Sequence, residues 1–224
     1  MYSSIIFEDR KEAGKKLADE LGRFKDKKVI VLGIPRGGIV VGYEIAKKLH
    51  APLDIIVPRK LRAPNQPELA IGAITEDGNV ILNTELINSL NIPEYYIRLE
   101  SKRQQEEIAR RIQAYKGEQK IRDLTGSHVI VVDDGIATGS TMIAALNSIR
   151  KRGAKSIILA VPVASSESIQ MLQKIADQTI TLSAPTLFFA IGQFYRNFEQ
   201  TTDEEVRELL NKNQQELKNL KLAN

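Results

Sequence analysis

Apolar residues along the chain follow two distinct periods. Short unbroken runs recur at Val29–Leu32, Leu53–Val57, His128–Val132 and Ile157–Pro162, with a briefer one at Thr179–Leu182. Runs of this length, bounded by Gly, Pro or polar residues and rich in β-branched side chains, read as strands buried on both faces. Between them apolar positions recur at helical spacing: Ala13, Leu17, Ala18 and Leu21 within Glu8–Phe24, then Ile39–Leu49, Ser140–Lys151 and a helix from Ser165. Strand–loop–helix units repeated in this way predict an α/β fold, an open and mainly parallel sheet with helices on both faces.

Two regions interrupt the rhythm. Leu69–Thr75 and Val80–Leu82, joined by Glu76-Asp77-Gly78-Asn79, predict a hairpin because Asp-Gly and Gly-Asn supply turn geometry. Pro58–Pro67, rich in Pro, Arg and Asn, reads as a loop. Pro93–Lys116 is a long charged helix with Gly117 as its stop. A last helix begins near Thr202, where Thr202 and Glu205 fit a capping box, and runs toward Lys221 with Val206, Leu209, Leu210, Leu217 and Leu220 on one side. The expectation is one domain over 1–224, with a core at about 28–182 and small hood or dimer elements at 90–117 and 183–224.

Composition narrows the chemistry. The 224 residues are 42% hydrophobic and 27% charged, ordinary for a globular chain. The 32 cations are offset by 28 anions, leaving +4 with no separate basic block, so no nucleic-acid partner is expected. The absence of cysteine excludes disulfides, thiolate zinc sites and a Cys nucleophile. His50 and His128, far apart in sequence, read as a helix end and a strand start rather than as ligands or a triad. The N-terminus lacks a long apolar stretch and no run approaches a membrane span, so cytoplasmic residence is the expectation.

The segment Val129-Ile-Val-Val-Asp133-Asp134-Gly135-Ile136-Ala137-Thr138-Gly139-Ser140-Thr141 concentrates chemistry. The strand carries the turn to the carboxyl edge of the sheet, where open α/β sheets bind ligands. Gly135 and Gly139 let the backbone curl, so that successive N–H groups converge into an anion nest. The helix that follows adds its positive end, and Thr138, Ser140 and Thr141 add hydroxyls. Carboxylates beside such a cup would repel phosphate unless they accept from a neutral part of the same ligand, and vicinal sugar hydroxyls are the natural candidates. Ribose 5-phosphate satisfies both halves. A nucleoside-triphosphate P-loop would need a lysine that Gly139-Ser140-Thr141 lacks.

These thirteen positions closely resemble the phosphoribosyl-diphosphate signature of type I phosphoribosyltransferases. The resemblance implies binding of 5-phosphoribosyl-1-pyrophosphate (PRPP) by residues 133–141. It implies Mg²⁺ bridging the ligand, with Asp133 and Asp134 as metal ligands directly or through water, and transfer of the phosphoribosyl group to a nucleobase-like acceptor. It also implies that Leu32-Gly33-Ile34-Pro35-Arg36-Gly37-Gly38 is a pyrophosphate loop, although a Gly-rich turn of this kind is locally also just a turn. Arg59 and Lys60 would touch pyrophosphate, or else form a solvated basic loop. A flap over 61–72 would carry Arg62 and Glu68, the latter a candidate for acceptor or proton contact or simply an exposed carboxylate. Phe188 and Phe189, in a segment with Phe194 and Tyr195, would stack a planar base or pack beneath the last helix.

Ala137 stands where hypoxanthine-guanine members carry an Asp, which weighs against a 6-oxopurine acceptor. Adenine-type and orotate-type acceptors stay open. The whole chain resembles uncharacterised stand-alone bacterial and archaeal members. A homodimer is expected through the long helix and the C-terminal helix. A non-catalytic PRPP sensor is the alternative.

Overall fold

The computed structural model describes residues 6–25, 27–117 and 122–223. Its centre is a five-stranded sheet of β1 (Val29–Gly33), β2 (Leu53–Ile55), β6 (His128–Val132), β7 (Ser156–Val163) and β8 (Gln178–Ser183), in the order β2-β1-β6-β7-β8 and parallel throughout. The expected open parallel sheet is therefore present.

Alternate side chains of each strand feed opposite layers, as the two-residue period of a strand demands. From β6, Ile130 and Val132 join a core with Leu17, Ile39, Leu53 and Leu210, under the helices α1 (Arg10–Glu20), α2 (Gly37–Leu49) and α7 (Asp203–Ala223). Val129 and Val131 join the opposite core with Met142, Leu146, Ile149 and Leu172, under α5 (Ser140–Lys151) and α6 (Ser166–Leu172). Each fully buried Leu or Ile contributes about 2 kcal/mol. Exposed ion pairs such as Lys16–Glu12 contribute little, being screened by solvent. The two apolar layers, not the surface charges, hold the sheet.

Local signals end the helices as expected. Asp9 caps α1 by accepting from Glu12 N at 2.8 Å. Gly117 ends α4 (Glu94–Lys116) at φ 59°. Glu205 N donates to Thr202 Oγ1 at 3.1 Å, the forward half of the anticipated capping box. Both histidines sit at element ends: His50 is the left-handed C-cap of α2, and His128 opens β6 with Nδ1 2.6 Å from Ser156 Oγ.

The stretch expected as a loop at Pro58–Pro67 departs from that reading. Arg59–Ala63 is strand β3, antiparallel to β4 (Gln66–Ile74), which in turn pairs with β5 (Val80–Leu82). The inward positions Leu61 and Ala63 are buried, while Arg62 on the same strand is exposed. The cations between them hide the alternation; the ladder with β4 makes the strand, and α4 packs against it. A short helix α3 (Thr84–Ser89), unforeseen in the sequence, links β5 to α4. The elements outside the parallel sheet thus include β3, β4 and β5 as well as those after residue 90. At the C-terminus Val206 and Leu210 are buried, but Leu217 is only half-buried and Leu220 is exposed, so the apolar side of α7 is covered over its first half.

The β4–β5 turn is clamped to α5. Arg152 Nη1 meets Glu76 Oε1 at 2.8 Å, and Ser148 Oγ donates to Asp77 Oδ2 at 2.9 Å. Burial nevertheless holds the Glu76 carboxyl above its ordinary pKa.

Candidate functional site

β1 is flanked by β2 on one side and β6 on the other, so the chain reverses its direction of travel across the sheet between β1 and β6. Ligands of open α/β sheets lie outside the carboxyl ends of strands at such a switch point. Gly33 is level with Val132 in the register, which brings the loops after β1 and β6 side by side.

The loop after β6 builds the cup. Ile136 N donates to Val163 O at 3.0 Å and Ser165 N to Ile136 O at 3.0 Å, tying the loop to the end of β7. The Ala137 carbonyl accepts from Ser165 Oγ at 2.8 Å and Ser168 Oγ at 2.7 Å. With its carbonyl turned away, the loop presents N–H groups on its other side. Among the described residues, no amide from Ala137 through Met142 donates a hydrogen bond; the first of α5 is Ile143 N to Gly139 O at 2.9 Å. Gly139 makes this possible at φ 74°, a conformation that a side chain disfavours. Six consecutive amides without a protein acceptor at a helix N-terminus are donors open to an anion.

The loop after β1 closes against it. Ile34 N donates to Val132 O at 2.9 Å. A Cβ on Gly37 would overlap the Asp134 carboxyl, and one on Gly38 would stand 2.8 Å from Val132 O and 2.9 Å from Asp133 Cα. Glycine is required at both positions by close approach. The Pro35–Arg36 peptide is cis. Arg36 leans outward, with Nη1 3.7 Å from Asp203 Oδ1, an oxygen that also accepts from Tyr115 Oη at 3.0 Å.

The two acids are not equivalent. Asp133 Oδ1 accepts from Asp134 N at 2.8 Å. Burial first, and then the Asp134 charge, push the Asp133 carboxyl well above its ordinary pKa. Asp134 is paired instead: Arg10 Nε lies 2.7 Å from Oδ2, and Tyr195 Oη donates to the Asp134 carbonyl at 2.5 Å. Arg10 is held by Glu199 O at 2.7 Å and stacks on Phe198, its Cζ 3.9 Å from the ring centroid. Burial and the Asp134 charge raise the Tyr195 phenol, which stays a neutral donor.

One of the two acids expected to serve a ligand, Asp134, thus carries its own counter-ion. Arg10, Tyr195 and Phe198 were not singled out for this role from sequence. One signal was available: Arg10 is a cation in the first turn of a helix, against the dipole, and such a placement calls for another partner.

The remaining candidates scatter. Arg59 Nε donates to Gln104 Oε1 at 3.0 Å, so its guanidinium turns toward α4 and not toward Arg36. Lys60 is half-buried opposite Ala73. Glu68 lies exposed on β4, with no hydrogen bond to the acid pair. Phe188 packs on Phe194 with centroids 5.1 Å apart, and Phe189 is 85% exposed. Phe194 and Tyr195 belong to a core with Phe7 and Val163. The segment does abut the cup: a Cβ on Gly135 would stand 2.6 Å from Ile191 Cγ2. Among the described residues, no group of three or more His, Cys, Asp or Glu gathers into a metal cage, and no helix is long and apolar enough to cross a membrane.

With this geometry in view, comparison with known proteins is informative. The profile described as "Phosphoribosyl transferase domain" matches residues 6–199. A Mycobacterium tuberculosis (strain H37Rv) protein named "Putative phosphoribosyl transferase Rv0571c" is 44% identical over 201 residues, 90% of this chain and 45% of the relative. The chain thus spans about half the length of the curated relatives it matches. A crystal structure of TT1426 from Thermus thermophilus superposes with a TM-score of 0.80 at 37% identity, covering 92% of this chain and 98% of that one. A shorter match, 39% identical over 56 residues and 25% of this chain, is to a uracil phosphoribosyltransferase of Staphylococcus haemolyticus.

Proposed function

For a chain that belongs to the phosphoribosyl transferase domain family, we propose transfer of the 5-phosphoribosyl group from PRPP to a nucleobase-like acceptor, with release of pyrophosphate. The observation that carries this reading is the run of unpartnered amides from Ala137 to Met142 directly beside the acid pair. That juxtaposition suits a phosphate ester and sugar hydroxyls on one molecule.

In this reading residues 135–141 hold the 5-phosphate through amides and through the hydroxyls of Thr138, Ser140 and Thr141. Asp133 accepts from the ribose hydroxyls, and Asp134, neutralised by Arg10, shapes the floor against Gly37 without adding a second full negative charge near an anionic ligand. The Gly37 amide and Arg36, swung from its loose 3.7 Å contact with Asp203, meet the pyrophosphate. Departure of pyrophosphate breaks the anomeric C–O bond and develops positive charge on the ribose ring. The protein contributes positioning and stabilisation of the leaving anion. Lys60 and Glu68 would reach the ligand only if the β3–β4 hairpin folds over it, and Phe188 and Phe189 would border the acceptor side.

The donor set also fits Mg²⁺. Two adjacent carboxylates are hard oxygen donors of the kind that Mg²⁺ takes. Asp133, and Asp134 through water, would hold it, and it would supply charge neutralisation of the diphosphate. Cytoplasmic residence and a homodimer belong to the same reading; sedimentation tests the latter.

The sensor reading draws on one observation, the Arg10–Asp134 pair, which leaves a single acid unpaired. Pyrophosphate release from PRPP with Mg²⁺ across a panel of purine and pyrimidine bases decides between the two. Release with one base supports the transferase. PRPP binding with no release on any base supports the sensor, and absence of PRPP binding overturns both.

A further inference from the structure

The hood carries a second concentration of charge, apart from the acid pair. A cavity of about 350 Å³ opens between β3 and α4, and Arg59, Arg62, Arg103 and Arg110 line it. Gln104, Glu106 and Glu107 complete its wall. Arg103 and Arg110 are seven positions apart on α4, two turns along the same face.

The carboxylates neutralise this wall only in part. Glu107 is engaged by Arg110 at 2.8 and 3.0 Å, and also by Arg111 Nε at 2.8 Å. Arg59 Nε finds only the neutral Gln104 Oε1, and Gln104 is held in that orientation by its own bond to Glu100 Oε1 at 2.8 Å. Among the described residues, no carboxylate stands within ion-pair distance of the guanidiniums of Arg59, Arg62 or Arg103. Burial, and then the Arg111 charge, hold Arg59 below the usual guanidinium value. Glu107 and Glu100 offset this only in part, and a half-buried cation beside Arg111 and Arg62 is unfavourable until an anion arrives.

We infer that this cavity is an anion subsite for the phosphate of a small phosphorylated ligand. Guanidinium forks match phosphate oxygens in pairs. The volume lies within the ~300–1,000 Å³ typical of small-molecule pockets, so a bare ion would leave most of it empty. Glu106 suits a hydroxyl or amino donor elsewhere on the same molecule. A sugar phosphate or mononucleotide combines these features. The subsite is built by β3 and α4 and does not depend on the phosphoribosyl reading.

The test is calorimetric titration of the whole chain, first with PRPP and then, with PRPP saturating, with inorganic phosphate. The wild type retains a phosphate site. Arg103→Ala/Arg110→Ala weakens phosphate binding by about tenfold or more, as loss of charge-assisted bonds predicts. The double lysine variant keeps most of it, and neither variant alters PRPP affinity or helical content. No phosphate binding by the wild type, or equal binding by the alanine variant, overturns the inference. If phosphate then competes with the acceptor during pyrophosphate release, the group belongs to the acceptor. If it alters release without competing, it belongs to a separate effector. Phosphate binding that depends on these arginines in a chain unable to bind PRPP would sustain the subsite while removing the phosphoribosyl reading.

Discussion

Arg10 Nε lies 2.7 Å from Asp134 Oδ2, so a cation from the first helix neutralises one of the two acids at the head of β6. Both side chains are 12% exposed, which makes the pair worth more than a surface contact and its breakage costly. Arg10→Ala should lower unfolding stability by about 3 kcal/mol, the scale for an unpartnered buried charge. It should also weaken PRPP binding, because a second bare carboxylate then faces an anionic ligand. Denaturant titration and calorimetry check both, and a variant as stable as the wild type would show that the pair contributes nothing.

Asp133 trades stability for chemistry. Its raised pKa means that the folded state favours the protonated form, so its contribution to stability is full below the ordinary carboxylate value and is lost as pH rises toward the folded-state value. Above that value the ionised side chain costs stability. Asp133→Asn keeps an oxygen for the Asp134 amide and removes the charge, so its Tm should rise while PRPP affinity falls. A lower Tm at pH 7 would contradict this account.

Gly38 tests the closeness of the two loops. Its Cβ would meet backbone, Val132 O at 2.8 Å and Asp133 Cα at 2.9 Å, and backbone cannot step aside as a side chain can. Gly38→Ala should cost about 1–3 kcal/mol by overpacking and should weaken PRPP binding by displacing Asp133. Thermal unfolding with a PRPP titration measures the two effects, and the idea fails if both are unchanged.

The hood clamp has its own pH signature. Arg152→Ala leaves Glu76 buried without its counter-ion, and a carboxyl already raised by burial rises further. A raised acid loses stability as pH increases through its folded-state value. The variant's Tm deficit relative to wild type should therefore be larger at pH 8 than at pH 5. Equal deficits at the two pH values would place the role of Arg152 elsewhere.

Local sequence sufficed for the parallel sheet and the cup. The strand runs such as Val129–Val132 are short and β-branched, and the glycines and hydroxyls of 135–141 act within a few residues of one another, so their geometry follows from neighbours in the chain. The assembled fold settled what lies across distance. β3 is a strand because it pairs with β4, although Arg59, Lys60 and Arg62 made it read as a loop. Arg10 reaches Asp134 over 124 positions and Tyr195 reaches it over 61, and local periodicity carries no trace of such partners. Secondary structure is set by short-range sterics and patterning, whereas the state of a charge is set by whatever the fold brings beside it.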